Sequence, residues 1–433
     1  MRLKRISCFV CFPFIILGGC ENEQMATEIE QSNDRLKICC LESDQSLYVA
    51  PSVAKFQQEY PDIKVELQTI PDDNASEMAE KLETELMGGN GADIYLGMEN
   101  YFQDIYKIQK EGYFENLMPW FQEVEKFNVN DYVEGTFDLY EDGESCCVMP
   151  VFISSLAWAS PSEIQNELGI DVEKWTDTSD ILDAIDKFYA KWPEEVAFNR
   201  GAPFYLDPYM MGFRIYGENT EIFESSDIQK MEELYKRQVY PEGVSTFHMD
   251  YERYIQEQEA AIQGERPCLG IPFGIAYLDE YIRLGGEEKA GLFPAFTPDG
   301  KVATICTFQN AISTQSSNKE NAFNFLQILL EENFENTAIE TVRKDVNKEL
   351  LETLKIQYTR DQVTVDGSVF PGLTDKTFSL LEKWEEMKEI YALGVTEINN
   401  RYESCMEPFY KGEKSYEDCI EEYIDYLEIY YAE

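Results

Sequence analysis

The sequence predicts an α/β fold built on a parallel, helix-covered sheet. Three observations predict it. Between Leu36 and Gly97, strand-like and helix-like segments follow one another in the order βαβαβ. Amphipathic helices with readable start signals recur near Ser317 and Ser415. Hydrophobic residues make up 44% and aromatics 13% of the 433 residues, enough for a large core despite a formal charge of −47. The length suits two or three domains at about 100–200 residues each.

Leu36-Lys-Ile-Cys-Cys-Leu41 reads as a first strand, buried on both faces. A helix follows to about Tyr60, with Val53 and Phe56 on one side; Pro51 places its start there, or else a kink. Pro61-Asp62 breaks it, and Ile63, Val65 and Leu67 alternate with polar residues as a second strand. Met78, Leu82 and Leu86 recur every four residues along the next helix, which Gly88-Gly89 ends. Asp93-Ile-Tyr-Leu-Gly97 is a third short strand. Sheets of this kind bind ligands beyond the C-terminal ends of their strands. That rule selects Glu42, Ser43 and Asp44 after the first strand, and Glu99 and Asn100 after the third.

Ser317-Asn-Lys-Glu320 reads as a capping box, opening a helix with an apolar stripe of Ala322, Phe325, Leu326, Leu329 and Leu330. The last helix begins near Ser415. Tyr416, Cys419, Ile420, Tyr423, Ile424 and Leu427 line its core face, and Glu421, Glu422, Asp425 and Glu428 its solvated one.

Charge and composition exclude several functions. With 83 Asp+Glu against 36 Lys+Arg the surface repels phosphate, so no nucleic-acid partner is expected. His248 is the single histidine, which removes most histidine-based catalysis and metal binding. Cys8-x-x-Cys11 has a metal-like spacing but lies in a segment read as a signal peptide, residues 1–19. That segment has basic Arg2, Lys4 and Arg5, then a short apolar run from Cys8 to Leu17 that ends in Leu17-Gly-Gly-Cys20. The ending resembles a bacterial lipobox, whose cysteine is lipidated and becomes the new N-terminus. Cys20 is the expected lipid site, and residues 20–35 a flexible tether. The remaining cysteines, Cys39, Cys40, Cys146, Cys147, Cys268, Cys306, Cys405 and Cys419, have no metal-ligand spacing and read as small core residues. No catalytic residue, metal site or cofactor is expected.

Several segments, in order, resemble the family 1 extracellular solute-binding proteins, receptors of ATP-binding-cassette importers. They are Val53-Ala-Lys-Phe56 through Glu66, Leu86-Met-Gly-Gly-Asn-Gly-Ala-Asp93-Ile-Tyr, Gly112-Tyr-Phe-Glu-Asn-Leu117, Val148-Met-Pro150, Phe293 to Lys301, Ser317 to Phe323 and Phe409 to Ser415. The resemblance implies a two-lobed periplasmic-binding-protein-like fold of type II. Two parallel or mixed sheets would be flanked by helices and joined by three hinge crossovers. An N-terminal lobe would comprise residues 36–151 and 298–345, and a C-terminal lobe residues 152–297 and 346–433. Ligand would bind between them, and closure would be read by permease subunits.

The family's ligand loops fall on Glu42–Asp44, on Glu99–Asn100, on Phe152–Ser155 including Ser154, and on Phe308-Gln309-Asn310. Asp207-Pro-Tyr209 resembles an acidic residue-Pro-Tyr segment that holds sugar, and Phe273 occupies the place of a supporting aromatic. The resemblance thus implies a monomeric lipoprotein on the outer face of the bacterial cytoplasmic membrane that captures a carbohydrate, an oligosaccharide first. Two alternatives stay open. The same receptor class could bind a polyamine or basic peptide, given the acidic surface; a secreted glycosidase with two carboxylates is the other.

Overall fold

The computed structural model describes residues 35–140, 145–198, 220–240, 251–274, 278–331, 339–391 and 396–432. The expected signal segment, Cys20, His248 and Asp207-Pro-Tyr209 lie outside the described residues.

Strand β1 (Arg35–Leu41) pairs in parallel with β2 (Lys64–Ile70) and with β3 (Ile94–Tyr95), Ile38 standing opposite both Leu67 and Ile94. This is the predicted βαβαβ unit, and β1 is almost wholly buried because helices cover it. The first helix differs from expectation. The chain is helical from Glu42 onward, passes through a wide π-type turn over Gln45–Val49, and becomes regular over Ala50–Glu59. Pro51 falls in the first turn of the regular part; the chain before it is already helical, so its missing N–H takes one bond from the run, and the widened turn lies just before it. The second helix, Ala75–Met87, buries Leu82 and Leu86 as predicted.

Two long strands carry the sheet onward. β4 (Met149–Pro161) and β7 (Val302–Ile312) are antiparallel over Met149–Ser155, and the far end of β7 pairs with β3. The second half of β4 pairs instead with β5 (Ile271–Gly274) and β6 (Ala290–Pro294). β8 (Glu340–Thr341) lies against Phe152 and Ile153 of β4, and β11 (Lys388–Tyr391) runs parallel to the start of β7. The two expected sheets are therefore hydrogen-bonded into one nine-stranded network through β4 and β7, while β9 (Gln362–Val365) and β10 (Ser368–Pro371) form a separate hairpin.

The apolar side chains form two clusters. One underlies β1 to β3 and extends along β4 and β7; the other gathers Ala157, Phe273, Tyr281, Leu292, Phe378 and Trp384. The eight described cysteines are all buried, as small hydrophobes. Trp158 is a core residue at 1% exposure.

A polar knot ties the crossing strands. Ser155 N–H donates to Glu340 (3.1 Å), and the Ser155 and Thr304 hydroxyls are 3.1 Å apart. Lys388, fully buried, pairs with both Glu340 and Glu385. Burial pulls the Lys388 ammonium pKa down, but the two carboxylates outweigh it and hold it up; burial also lifts Glu385 to about 7.

The helix near Ser317 begins at Lys319, and Ser316 rather than Ser317 supplies the local hydroxyl. Ser316 Oγ accepts from Asn318 N–H (2.9 Å) and donates to Asp93 (2.6 Å), which fastens the helix start to β3. The last helix, Tyr416–Ala432, buries Tyr416, Cys419, Ile420, Tyr423, Leu427 and Tyr430. Near its start Tyr416 donates to Phe223 O (3.2 Å); near its end Tyr430 donates to Asp104 (2.7 Å). It therefore touches chain from both expected lobes.

Candidate functional site

The strand-end rule leads to a specific place. β1 ends at Leu41, and Glu42, Ser43 and Asp44 form the first turn after it; β3 ends at Tyr95, followed by a left-handed Gly97 (φ +61°) and the turn Met98–Asn100. Asp44 and Gly97 meet there. A Cβ on Gly97 would lie 2.9 Å from Asp44 Oδ2 and 3.2 Å from the Phe308 ring, so glycine is required both by the φ and by the close approach.

Three rings pack beside Asp44. Tyr48 and Phe152 have centroids 4.7 Å apart, Tyr48 and Phe308 5.4 Å, and Phe152 and Phe308 5.4 Å. They come from three separate elements: the helical segment after β1, the crossing strand β4 and the crossing strand β7. Phe152 and Phe308 are buried, while Tyr48 keeps partial exposure.

The carboxylates behave differently from one another. Asp44 Oδ2 is buried and has no hydrogen-bond partner among the described residues. Burial, then the neighbouring Asp72 charge, raises the Asp44 pKa to about 6. Asp72, beyond the C-terminal end of β2, accepts from Ser43 Oγ (2.6 Å). Glu99 is half-buried and fully engaged: it accepts from Phe308 N–H (2.5 Å) and Gln309 N–H (2.9 Å). Its pKa reaches about 7, raised by burial and by Asp44 and held back by the backbone N–H donors.

The predicted residues divide accordingly. Asp44, Glu99 and Asn100 are brought together around Gly97, to whose carbonyl Asn100 Nδ2 donates (3.2 Å). Glu42 lies exposed at the start of the turn that carries Asp44, and Ser154 is exposed on β4 opposite Ile305. Gln309 sits behind the surface, fully buried, with Oε1 accepting from Tyr140 (2.5 Å). Phe273 is as buried as Phe152 and Phe308 but belongs to the second apolar cluster, where it stacks on Tyr281 at 6.4 Å, apart from the rings beside Asp44. Asn310 accepts from Gly97 N–H (3.3 Å) and donates to Met149 O (2.9 Å), so it joins β3, β4 and β7.

Tyr48 and Asp72 escaped the sequence reading, though both carried a signal. Tyr48 is four residues beyond Asp44, on the same helical face, and Asp72 follows the end of the second strand as Asp44 follows the first. A concavity of about 430 Å³ elsewhere, lined by Glu173, Trp175, Asp177, Asp299, Lys383 and Trp384, has its three acids already in use, Asp299 accepting from Thr297 Oγ1 (2.5 Å). Glu173 pairs with Lys376 (2.8 Å) and Asp177 caps a helix through Ser179 N–H (2.9 Å). Among the described residues no three His, Cys, Asp or Glu are placed to hold a metal ion, and no helix is long and apolar enough to cross a membrane.

Comparison with known proteins bears on this arrangement. A family model described as bacterial extracellular solute-binding protein matches residues 42–332. No curated protein matches in sequence. Among solved structures, the sugar-binding protein MalE from Xanthomonas citri superposes with a TM-score of 0.60 at 16% identity, covering 91% of this chain and 96% of that one. The cyclic α-maltosyl-1,6-maltose binding protein from Arthrobacter globiformis gives 0.58 at 14%, covering 91% and 98%. An ABC substrate-binding protein of Listeria monocytogenes in complex with cycloalternan gives 0.55 at 14%, covering 92% and 99%. At these identities the likeness concerns the fold, and the α/β architecture with helices flanking its sheet matches the two-lobed binding-protein fold.

Proposed function

The chain belongs to the bacterial extracellular solute-binding proteins, and from that premise we propose that it is the receptor of an ABC importer that captures a carbohydrate, an oligosaccharide first, between two lobes. The observation that carries this reading is the aromatic group Tyr48, Phe152 and Phe308 beside a buried carboxylate oxygen of Asp44 that has no partner among the described residues. Aromatic faces suit the C–H surface of a pyranose, and a carboxylate accepts hydroxyl hydrogens. The sugars named for the structural neighbours agree with it. By resemblance Asp207 and Tyr209 complete the site from the C-terminal lobe.

The cationic alternative draws on the acidic surface and on Glu42, Asp44, Glu99 and Asp207, but Glu99 already holds two backbone amides. We further propose that Cys20 is lipidated and anchors the receptor to the outer face of the cytoplasmic membrane, on the strength of Leu17-Gly-Gly-Cys20. Cys20→Ala then releases the protein from membranes, and undiminished retention would refute the anchor.

A thermal-shift screen tests the ligand class. Ligand at a hundred times Kd stabilises by about 2.7 kcal/mol. Neutral oligosaccharides are expected to raise the melting temperature equally at low and high salt. Stabilisation by polyamines alone, abolished by salt, would replace the sugar reading with the cationic one. Turnover of an oligosaccharide would point to the enzyme.

A further inference from the structure

We propose that Glu99 is a positioning residue of the ligand site: its carboxylate clamps the turn at Phe308 and thereby sets the aromatic surface formed with Tyr48 and Phe152. The part of this that concerns affinity rests on the sugar reading above.

Phe308 sits at φ +57° in the middle of β7, a left-handed conformation that a bulky residue adopts only when its surroundings impose it. Two consecutive amides, Phe308 and Gln309, point the same way at this place and both donate to Glu99, one to each carboxylate oxygen. An unbroken strand would turn successive amides to opposite sides. The left-handed residue is what brings the two together, and the carboxylate is what makes that turn favourable, since each N–H would otherwise lose its acceptor.

The turn has consequences for the ring. Phe308 is held over Gly97 and against Tyr48 and Phe152. Asn310 closes the other side of the turn by donating to Phe308 O (2.5 Å). With both oxygens engaged, Glu99 has little left to offer a ligand, whereas Asp44 keeps a buried oxygen with no partner among the described residues. The two acids thus divide the work: Asp44 faces ligand, and Glu99 holds the surface the ligand rests on.

The clamp is also sensitive to protons. The titratable groups around the turn are Glu99, Asp44, Asp72 behind Asp44, and the buried Tyr101 and Cys40, whose pKa values burial pushes further up; none of the three carboxylates forms an ion pair with a cation among the described residues. Burial places the Glu99 transition near 7, and the Asp44 charge contributes to the rise. An ionised Glu99 accepts both amides; a protonated one turns an oxygen into a donor and loses one of them. The two N–H donors lower the Glu99 pKa relative to an equally buried carboxyl without them, so against a local opening that leaves Glu99 buried the clamp is tightest above neutral pH and slackens below it.

Residue-resolved amide deuterium exchange of the whole protein tests this without knowledge of the ligand. In the wild type the amides of Phe308 and Gln309 are expected to be protected near pH 8. After correction for intrinsic rates, they should lose about tenfold of that protection toward pH 5.5. In Glu99→Gln at least one of them exchanges about tenfold faster near pH 8, and the pH step disappears. Glu99→Asp, which keeps the charge, keeps a pH step. Asp44→Asn keeps the protection and moves the step to lower pH, because a neighbouring negative charge is gone. Equal protection in Glu99→Gln and wild type, or no pH step in the wild type, would overturn the proposal.

Calorimetry with maltotriose supplies the second arm. Glu99→Gln is expected to weaken maltotriose about tenfold and to remove the pH dependence of its affinity. Asp44→Asn weakens it while leaving the two amides protected. Full maltotriose affinity in Glu99→Gln, with the amides exposed, would show that the clamp does not set the surface and would overturn the proposal. If maltotriose binds none of the proteins while the exchange pattern holds, the clamp stands and the α-glucan form of the sugar reading falls.

Discussion

At Gly97 the backbone turns left-handed where Asp44 and Phe308 approach most closely. Any side chain there meets two obstacles. The left-handed conformation costs an L-residue about 1–2 kcal/mol, and a Cβ 2.9 Å from Asp44 Oδ2 forces the carboxylate aside. Gly97→Ala is therefore expected to lower stability by at least about 1–2 kcal/mol and to weaken whatever sugar the screen identifies. Denaturant unfolding and calorimetry check the two effects separately. A variant with unchanged stability would mean that the turn relaxes freely and that the Asp44–Gly97 approach is not a constraint.

Among the elements, the crossing strands hold the arrangement together. β4 and β7 each contribute a ring to the site and then continue to the other half of the sheet, so movement of one half on the other must pass through them. The knot of Ser155, Thr304, Glu340, Glu385 and Lys388 lies where they cross β8 and β11. Removing one partner of a buried pair leaves an uncompensated charge, at a cost of about 3–5 kcal/mol. Lys388→Met should lose stability on that scale. The double variant Lys388→Met with Glu340→Gln should lose less than the sum of the two single changes. Strict additivity in that cycle would show that the two side chains do not act as a pair.

On the scale of the whole molecule, the acidic excess and the raised carboxyls act in the same direction. Asp44, Glu99 and Glu385 all bind their protons more tightly when folded than when unfolded, with pKa values of about 6, 7 and 7. The stability linked to a raised pKa is complete below the ordinary carboxylate range and is lost as pH rises through the folded value. Each tenfold change in proton affinity is worth about 1.4 kcal/mol, less at half-exposed Asp44 because solvent screens it. Repulsion among surface charges at −47 adds to the trend. The melting temperature without ligand should therefore fall between about pH 5.5 and pH 8. A melting temperature that rises across that window would contradict the assignment of these three groups.

Local pattern made much of this legible. Period-two and four-residue spacings located β1, β2 and the helix Ala75–Met87, and strand ends alone selected Asp44, Glu99 and Asn100. Pattern could not give Glu99 its part. A carboxylate after a strand looks the same whether it faces ligand or holds amides two hundred residues away. Phe273 and Gln309 show the same limit, since a side chain's face on a strand depends on what packs against it.

The sequence by itself determined the alternation of strands and helices, the apolar supply for their cores and the membership in a family, because these are properties of spacing and composition along the chain. The tertiary structure decided which acid keeps an oxygen without a partner among the described residues, which rings gather beside it and how one carboxylate can bend β7. Those depend on Leu41, Gly97, Phe152 and Phe308 arriving at one place, and burial, the strength that it lends to hydrogen bonds and the pKa values that follow exist only once the chain has folded.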